Sequence, residues 1–79
     1  MPTEETFVCP CCGHRTLPSR GEYDICPVCF WEDDPDCRTP DEPNDCNGIS
    51  LTEARRNYRE FGACQKAMLP HVRKPLNHE

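Results

Sequence analysis

The sequence predicts a small metal-bound α+β fold: a zinc-ribbon-like β-hairpin with two CPxC knuckles, an acidic loop, one main α-helix and a short C-terminal helical segment. Three observations carry this expectation. First, CPCCG at 9–13 and CPVC at 26–29 each place two residues between their outer cysteines. At that spacing a tight turn aims both thiolates at one tetrahedral ion, about 2.3 Å from each sulfur for zinc. Second, residues 50–61 combine a capping box with an apolar stripe of helical period. Third, 79 residues with 35% hydrophobic side chains, nine prolines and a mean hydropathy of -0.83 bury too little apolar surface to fold comfortably unaided, so a staple is expected. The chain reads as one domain, 1–79, with residues 71–79 as an extended tail.

Eight cysteines also suit a secreted disulfide scaffold. Residues 1–8 argue against it, being acidic and polar with neither a basic stretch nor an apolar one of the secretory kind. A cytoplasmic protein with reduced thiols and no membrane segment is expected, and reduced thiols in paired CxxC spacing favour metal. The formal net charge is -5. Four ligating thiolates and one divalent ion would take it to about -7, a sign that disfavours general nucleic-acid binding.

Residues 6–8 form a candidate strand entering the first cysteine pair, where Pro10 shapes the turn. Gly13 can adopt positive φ and fold the chain back over the metal. Cys9 and Cys12 then have ligand spacing, and Cys11 becomes the spare, either a small buried hydrophobe or a redox-sensitive substitute thiol. Two short strands, 15–17 and 22–25, are expected around the turn at 18–21, with Tyr23 and Ile25 on one face and the hairpin joining the two pairs. Cys26 and Cys29 are the second ligand pair. Phe30 stands where the first pair has Gly13, so this turn requires either strain or a different geometry. His14 is an alternative ligand, its simpler reading being an exposed side chain.

Residues 32–45 hold seven of the fourteen carboxylates together with Pro35, Pro40 and Pro43, which marks a loop. It fails the calcium-loop pattern: counting back from Gly48 puts Pro43 at the first ligand position and Ala54 at the twelfth. The expectation is a solvated acidic loop; the alternative is a docking surface for a basic partner, anchored by Phe30 and Trp31. Those aromatics otherwise belong to the core. Cys37 and Cys46, with Cys64 and His71 or His78, leave three readings open: a second zinc site, a Cys37–Cys46 disulfide, or free thiols. In the helix, Ser50 is the N-cap with Glu53 three residues on, and Gly62 is the stop. Leu51, Ala54, Tyr58 and Phe61 make the buried stripe. Arg55, Arg56 and Arg59 lie off it, as a solvated face answering the acidic loop or as phosphate contacts. Residues 63–69 add a helical turn or two before Pro70 ends them.

Taken together, CPCCG at 9–13, YDICPVCFWEDD at 23–34, LTEARRNYREFGAC at 51–64 and VRKP at 72–75 resemble the bacterial cysteine-rich CPCC family. The resemblance spans most of the chain and implies a compact zinc-binding domain. By position, Cys9, Cys12, Cys26 and Cys29 match its paired cysteines, and Cys11 and Cys64 match further ones. The loop with Cys37 and Cys46 departs most from the pattern. The functional expectation is a non-enzymatic protein with one structural zinc, because four thiolates leave no open position for water, and with a surface for a protein partner. The alternatives are a nucleic-acid-binding ribbon using Arg55 and Arg59, and an iron electron carrier resembling rubredoxin, since iron shares the four-sulfur geometry.

Overall fold

The computed structural model describes residues 6–35, 37 and 39–79. Residues 1–5, on which the expectation of no secretory signal partly rests, lie outside them. Strands β1 (Phe7–Val8) and β2 (Arg15–Leu17) pair antiparallel, Phe7 with Leu17 and Val8 with Arg15, with an irregular step between. Helix α1 (Leu51–Phe61) and a 3-10 helix (Lys66–His71) follow. The arrangement is a small α+β fold with one two-stranded hairpin and one main helix.

The hairpin is not the expected one. β2 pairs with β1 across the first cysteine turn, and residues 22–25 contribute only a bridge from Ile25 to Glu32. The reason lies in the hydrogen bonds. The Tyr23 N–H donates to the Asp33 carbonyl at 3.2 Å, and the Asp33 N–H donates to the Asp24 carbonyl at 2.9 Å, so this segment is satisfied by residues 32–33 and not by β2. Tyr23 and Ile25, expected on one face of a strand, are both exposed.

Each cysteine pair thus sits at the tip of its own small hairpin, and the two units repeat bond for bond. In the first, Cys9 N–H donates to His14 O at 2.9 Å and Gly13 N–H to Cys9 O at 2.9 Å. In the second, Cys26 N–H donates to Trp31 O at 3.0 Å and Phe30 N–H to Cys26 O at 2.8 Å. The bridges correspond as well, Val8 with Arg15 and Ile25 with Glu32. Residues 8–15 and 25–32 are therefore one backbone unit built twice. Phe30 follows Gly13 into the left-handed region, at φ 70° against 81°. Of the two options read from the sequence, strain is the one adopted.

Between the units lies a single cluster in which Leu17, Val28 and Trp31 meet Leu51 and Ala54 of α1. Trp31 is core, 1% exposed, and not a surface anchor. The helix begins where expected: Ser50 accepts the Glu53 N–H on its side chain at 3.1 Å, and Gly62 ends the helix at φ 91° with its N–H on the Tyr58 carbonyl. Arg55 Nε donates to the Pro10 carbonyl at 2.8 Å, tying α1 to the first turn.

Three loop expectations change. Asp33 and Asp34 are buried, so the acidic segment is not simply solvated. Asp33 accepts Arg20 Nε at 2.8 Å and the Gly21 N–H at 2.7 Å, closing the turn at 18–21. Asn47 pairs with both backbone groups of Glu32, at 2.9 and 3.0 Å, extending the second hairpin with a side chain. Pro70 lies inside the 3-10 helix and does not end it. Its ring excludes an α-helical turn, but its φ of about -65° falls in the 3-10 range. The tail is extended yet docked. Arg73 N–H donates to Pro27 O at 3.2 Å, Arg15 N–H to Glu79 O at 2.8 Å, and Arg73 holds both Glu79 carboxylate oxygens at 2.9 Å.

Candidate metal centre

The doubled hairpin brings two turns face to face, and their cysteines converge. The Sγ atoms of Cys9, Cys12, Cys26 and Cys29 all lie within 4.8 Å of one another. Cys9 Sγ is 3.6 Å from Cys29 Sγ, and Cys12 Sγ is 3.7 Å from Cys26 Sγ. Sulfurs about 2.3 Å from a tetrahedral zinc would be about 3.8 Å apart, so the cluster has the size of a four-thiolate shell. All four are free cysteines, and three are buried, with Cys12 partly exposed. They are positioned to hold a metal ion.

The surroundings favour the thiolate at two of the four sulfurs and the thiol at the other two. Cys26 lies well below the usual thiol range, because Cys12, then Cys29 and Cys9, hydrogen bond to its sulfur. Thr16 Oγ1 stands 2.9 Å from the same sulfur, and the Val28 N–H donates to it at 3.4 Å. Cys9 is also lowered, first by Cys12. Cys29 is held above the usual range by hydrogen bonding to Cys11 and then to Cys12, Cys26 and Cys9, and Cys12 is raised chiefly by Cys26. A cation bound among these sulfurs would displace the protons that Cys12 and Cys29 retain, so metal uptake would release protons and weaken as pH falls.

The remaining cysteines divide by depth. Cys11, 7% exposed, and Cys64, 1% exposed, join the core cluster with Cys9, Cys26 and Cys29, so the spare of the first turn is a buried small hydrophobe beside the centre. Cys64 donates its N–H to the Cys29 carbonyl at 2.8 Å, and burial pushes its thiol up to about 12. Cys37 is half-buried and Cys46 exposed, and both are free. Among the described residues no second metal-competent group forms from Cys37, Cys46 and Cys64 with a histidine. His14 packs edge-on to Tyr58 with ring centroids 6.2 Å apart, and His71 stacks on Phe30 at 5.2 Å. The arginines of α1 do not answer the acidic loop with ion pairs among the described residues; Arg20–Asp33 and Arg73–Glu79 are the pairs formed there. Thr16 is a further neighbour of the site. No sequence signal marks it, since its approach to Cys26 exists only once the two turns dock.

These features define a class: a small α+β protein built on two repeated cysteine turns that form one four-sulfur centre. The chain belongs to the cysteine-rich CPCC family, which matches residues 7–79. No curated protein matches it.

Proposed function

We propose that this is a non-enzymatic zinc protein whose single ion is structural and whose surface serves a protein partner. The observation that carries the metal reading is the four-sulfur cluster, with two sulfur pairs at 3.6 and 3.7 Å. Zinc fits the donor set: four soft sulfurs at tetrahedral spacing complete its shell and leave no position for a reacting water. The energetics agree, since a structural zinc site contributes roughly 10–16 kcal/mol in small peptides, more than the net stability of many domains. The core here is small, and its cysteines are part of it. With the metal bound and the fold held, such a domain is suited to present a surface.

Native mass spectrometry with elemental analysis tests the metal. One zinc per chain is expected in freshly reduced protein, lost when Cys26 and Cys29 are replaced by serine and retained in Cys11→Ser. Chelation should remove most of the helical and tertiary signal. One iron per chain would replace the structural reading with electron transfer, and retention of metal by the Cys26→Ser, Cys29→Ser double variant would sink the ligand set.

A further inference from the structure

Strand β2 carries one residue more than β1 can pair. Phe7 pairs with Leu17 and Val8 with Arg15, so Thr16 is the extra residue of a bulge. A bulge re-aims the side chains of its strand, and bulges recur beside functional sites for that reason. Here the effect shows in burial: Arg15 is exposed and Leu17 fully buried, although strict alternation would put the two on one face. The half-buried Thr16 side chain is turned to the second cysteine turn, where its Oγ1 stands 2.9 Å from Cys26 Sγ. Among the described residues this is the one side-chain hydrogen bond of that hydroxyl.

The direction of the bond follows from the chemistry of the ligand. A cysteine that holds a metal is a thiolate and has no proton to give. In the metal-loaded centre the hydroxyl must therefore donate, and the Val28 N–H, 3.4 Å from the same sulfur, is a second donor. Four thiolates around one divalent ion leave an excess of negative charge, and hydrogen bonds to charged groups are roughly twice as strong as neutral ones. The repeat shows that this donor belongs to one side only. Residues 8–15 correspond to 25–32, so the counterpart of Thr16 in the second unit is Asp33. An ionised carboxylate can only accept, and that of Asp33 is turned to Arg20 and Gly21. Cys9, the counterpart of Cys26, receives no hydroxyl among the described residues; its sulfur meets that of Cys29.

We propose that Thr16 is a positioning residue of the metal centre: its hydroxyl donates across the two hairpins to the Cys26 thiolate, holds that sulfur in the tetrahedral shell and strengthens metal binding. The proposal rests on the four-sulfur metal reading above and adds a donor from outside the ligand set. Removing a group that hydrogen bonds to a metal ligand typically lowers metal affinity about 10- to 100-fold.

The test is zinc affinity of the full chain by competition with a chromophoric chelator, together with the absorption spectrum of the cobalt-loaded protein, in wild type, Thr16→Val and Thr16→Ser. Valine keeps the branched shape and removes the hydroxyl; serine keeps the hydroxyl and removes a methyl. Zinc binding should weaken about tenfold or more in Thr16→Val and remain close to wild type in Thr16→Ser. The sulfur-to-cobalt charge-transfer band should move to longer wavelength in Thr16→Val, because a thiolate that loses a donor gives up an electron more readily, and should keep its place in Thr16→Ser. Complete loss of metal from Thr16→Val beside a normal Thr16→Ser supports the same role. Unchanged affinity in Thr16→Val, equal losses in the two variants, or a weakened Thr16→Val whose band does not move would each overturn it, the last two by showing that the side chain acts through packing. Those failures leave the metal reading standing. A wild-type chain that binds neither zinc nor cobalt would remove the metal reading and the role of Thr16 together.

Discussion

Phe30 is the residue at which the repeat is most demanding. Its counterpart Gly13 adopts φ 81° at no steric cost, and a Cβ placed there would meet nothing within 4 Å, so only the backbone conformation requires glycine. Phe30 takes φ 70° with a full side chain, a conformation that costs an L-residue about 1–2 kcal/mol. Its ring stacks on His71 at 5.2 Å, which offsets about 0.5–1.5 kcal/mol of that cost. Phe30→Ala keeps the strain and loses the ring, whereas Phe30→Gly loses the ring and the strain together. Denaturant unfolding of the metal-loaded protein should therefore rank Phe30→Gly above Phe30→Ala by about 1 kcal/mol. The reverse order would mean that the second turn tolerates its left-handed residue without strain. The identity of residue 30 as the position of strain was legible in the alignment of the two turns, but the ring that compensates was not, because His71 is brought to it by the 3-10 helix.

At the scale of elements, α1 is the one whose local signals and tertiary role coincide. Ser50 caps it, Gly62 stops it in the left-handed conformation, and of the expected stripe Leu51 and Ala54 are buried while Tyr58 and Phe61 are half-buried. Ser50→Ala should cost about 1 kcal/mol, the usual worth of an N-cap, seen as a lower denaturation midpoint with an unchanged slope. An unaffected midpoint would show that packing against the core alone holds the first turn. The strands behave differently. Segments of two or three residues carry too little periodicity to choose a partner, and β2 pairs with β1 because the cysteine turn already holds them together. A closed turn makes the nearest ladder the least costly in chain entropy. The same logic gives residues 22–25 to the 32–33 segment, across the second turn.

At the scale of the whole molecule, the tail closes the structure onto itself. Glu79 is held down to about 2 from the ordinary 4.5, first by the Arg73 guanidinium and then by the Leu76 N–H. A carboxylate whose value is lowered on folding stabilises the folded form above its ordinary value, and this contribution is lost as pH falls toward the lowered one. The docked tail should thus be intact at neutral pH and loosen between about 4.5 and 2. Carboxyl-carbon NMR titration of the metal-loaded protein checks it: Glu79 should remain ionised at a pH where ordinary glutamates are half-protonated, and Arg73→Ala should return it to their range. An ordinary midpoint in the unmodified protein would mean that the Arg73 contact is not maintained in solution.

The sequence by itself determined the two cysteine pairs, the glycine turn, the capped helix and the poverty of the core, because each depends on residues within a few positions of one another. The doublet at Cys9–Cys12 and Cys26–Cys29 was readable for the same reason: a CxxC turn is local chemistry repeated. Only the tertiary structure decided how the two turns face each other, and with that the four-sulfur cluster, the approach of Thr16 to Cys26 and the burial of Cys11 and Cys64 beside that cluster. It also decided that Asp33 turns inward to Arg20 and that the tail docks on β2 through Arg15 and Glu79. These contacts join residues far apart in the chain, and their free energy exists only once the two hairpins have closed on a common centre.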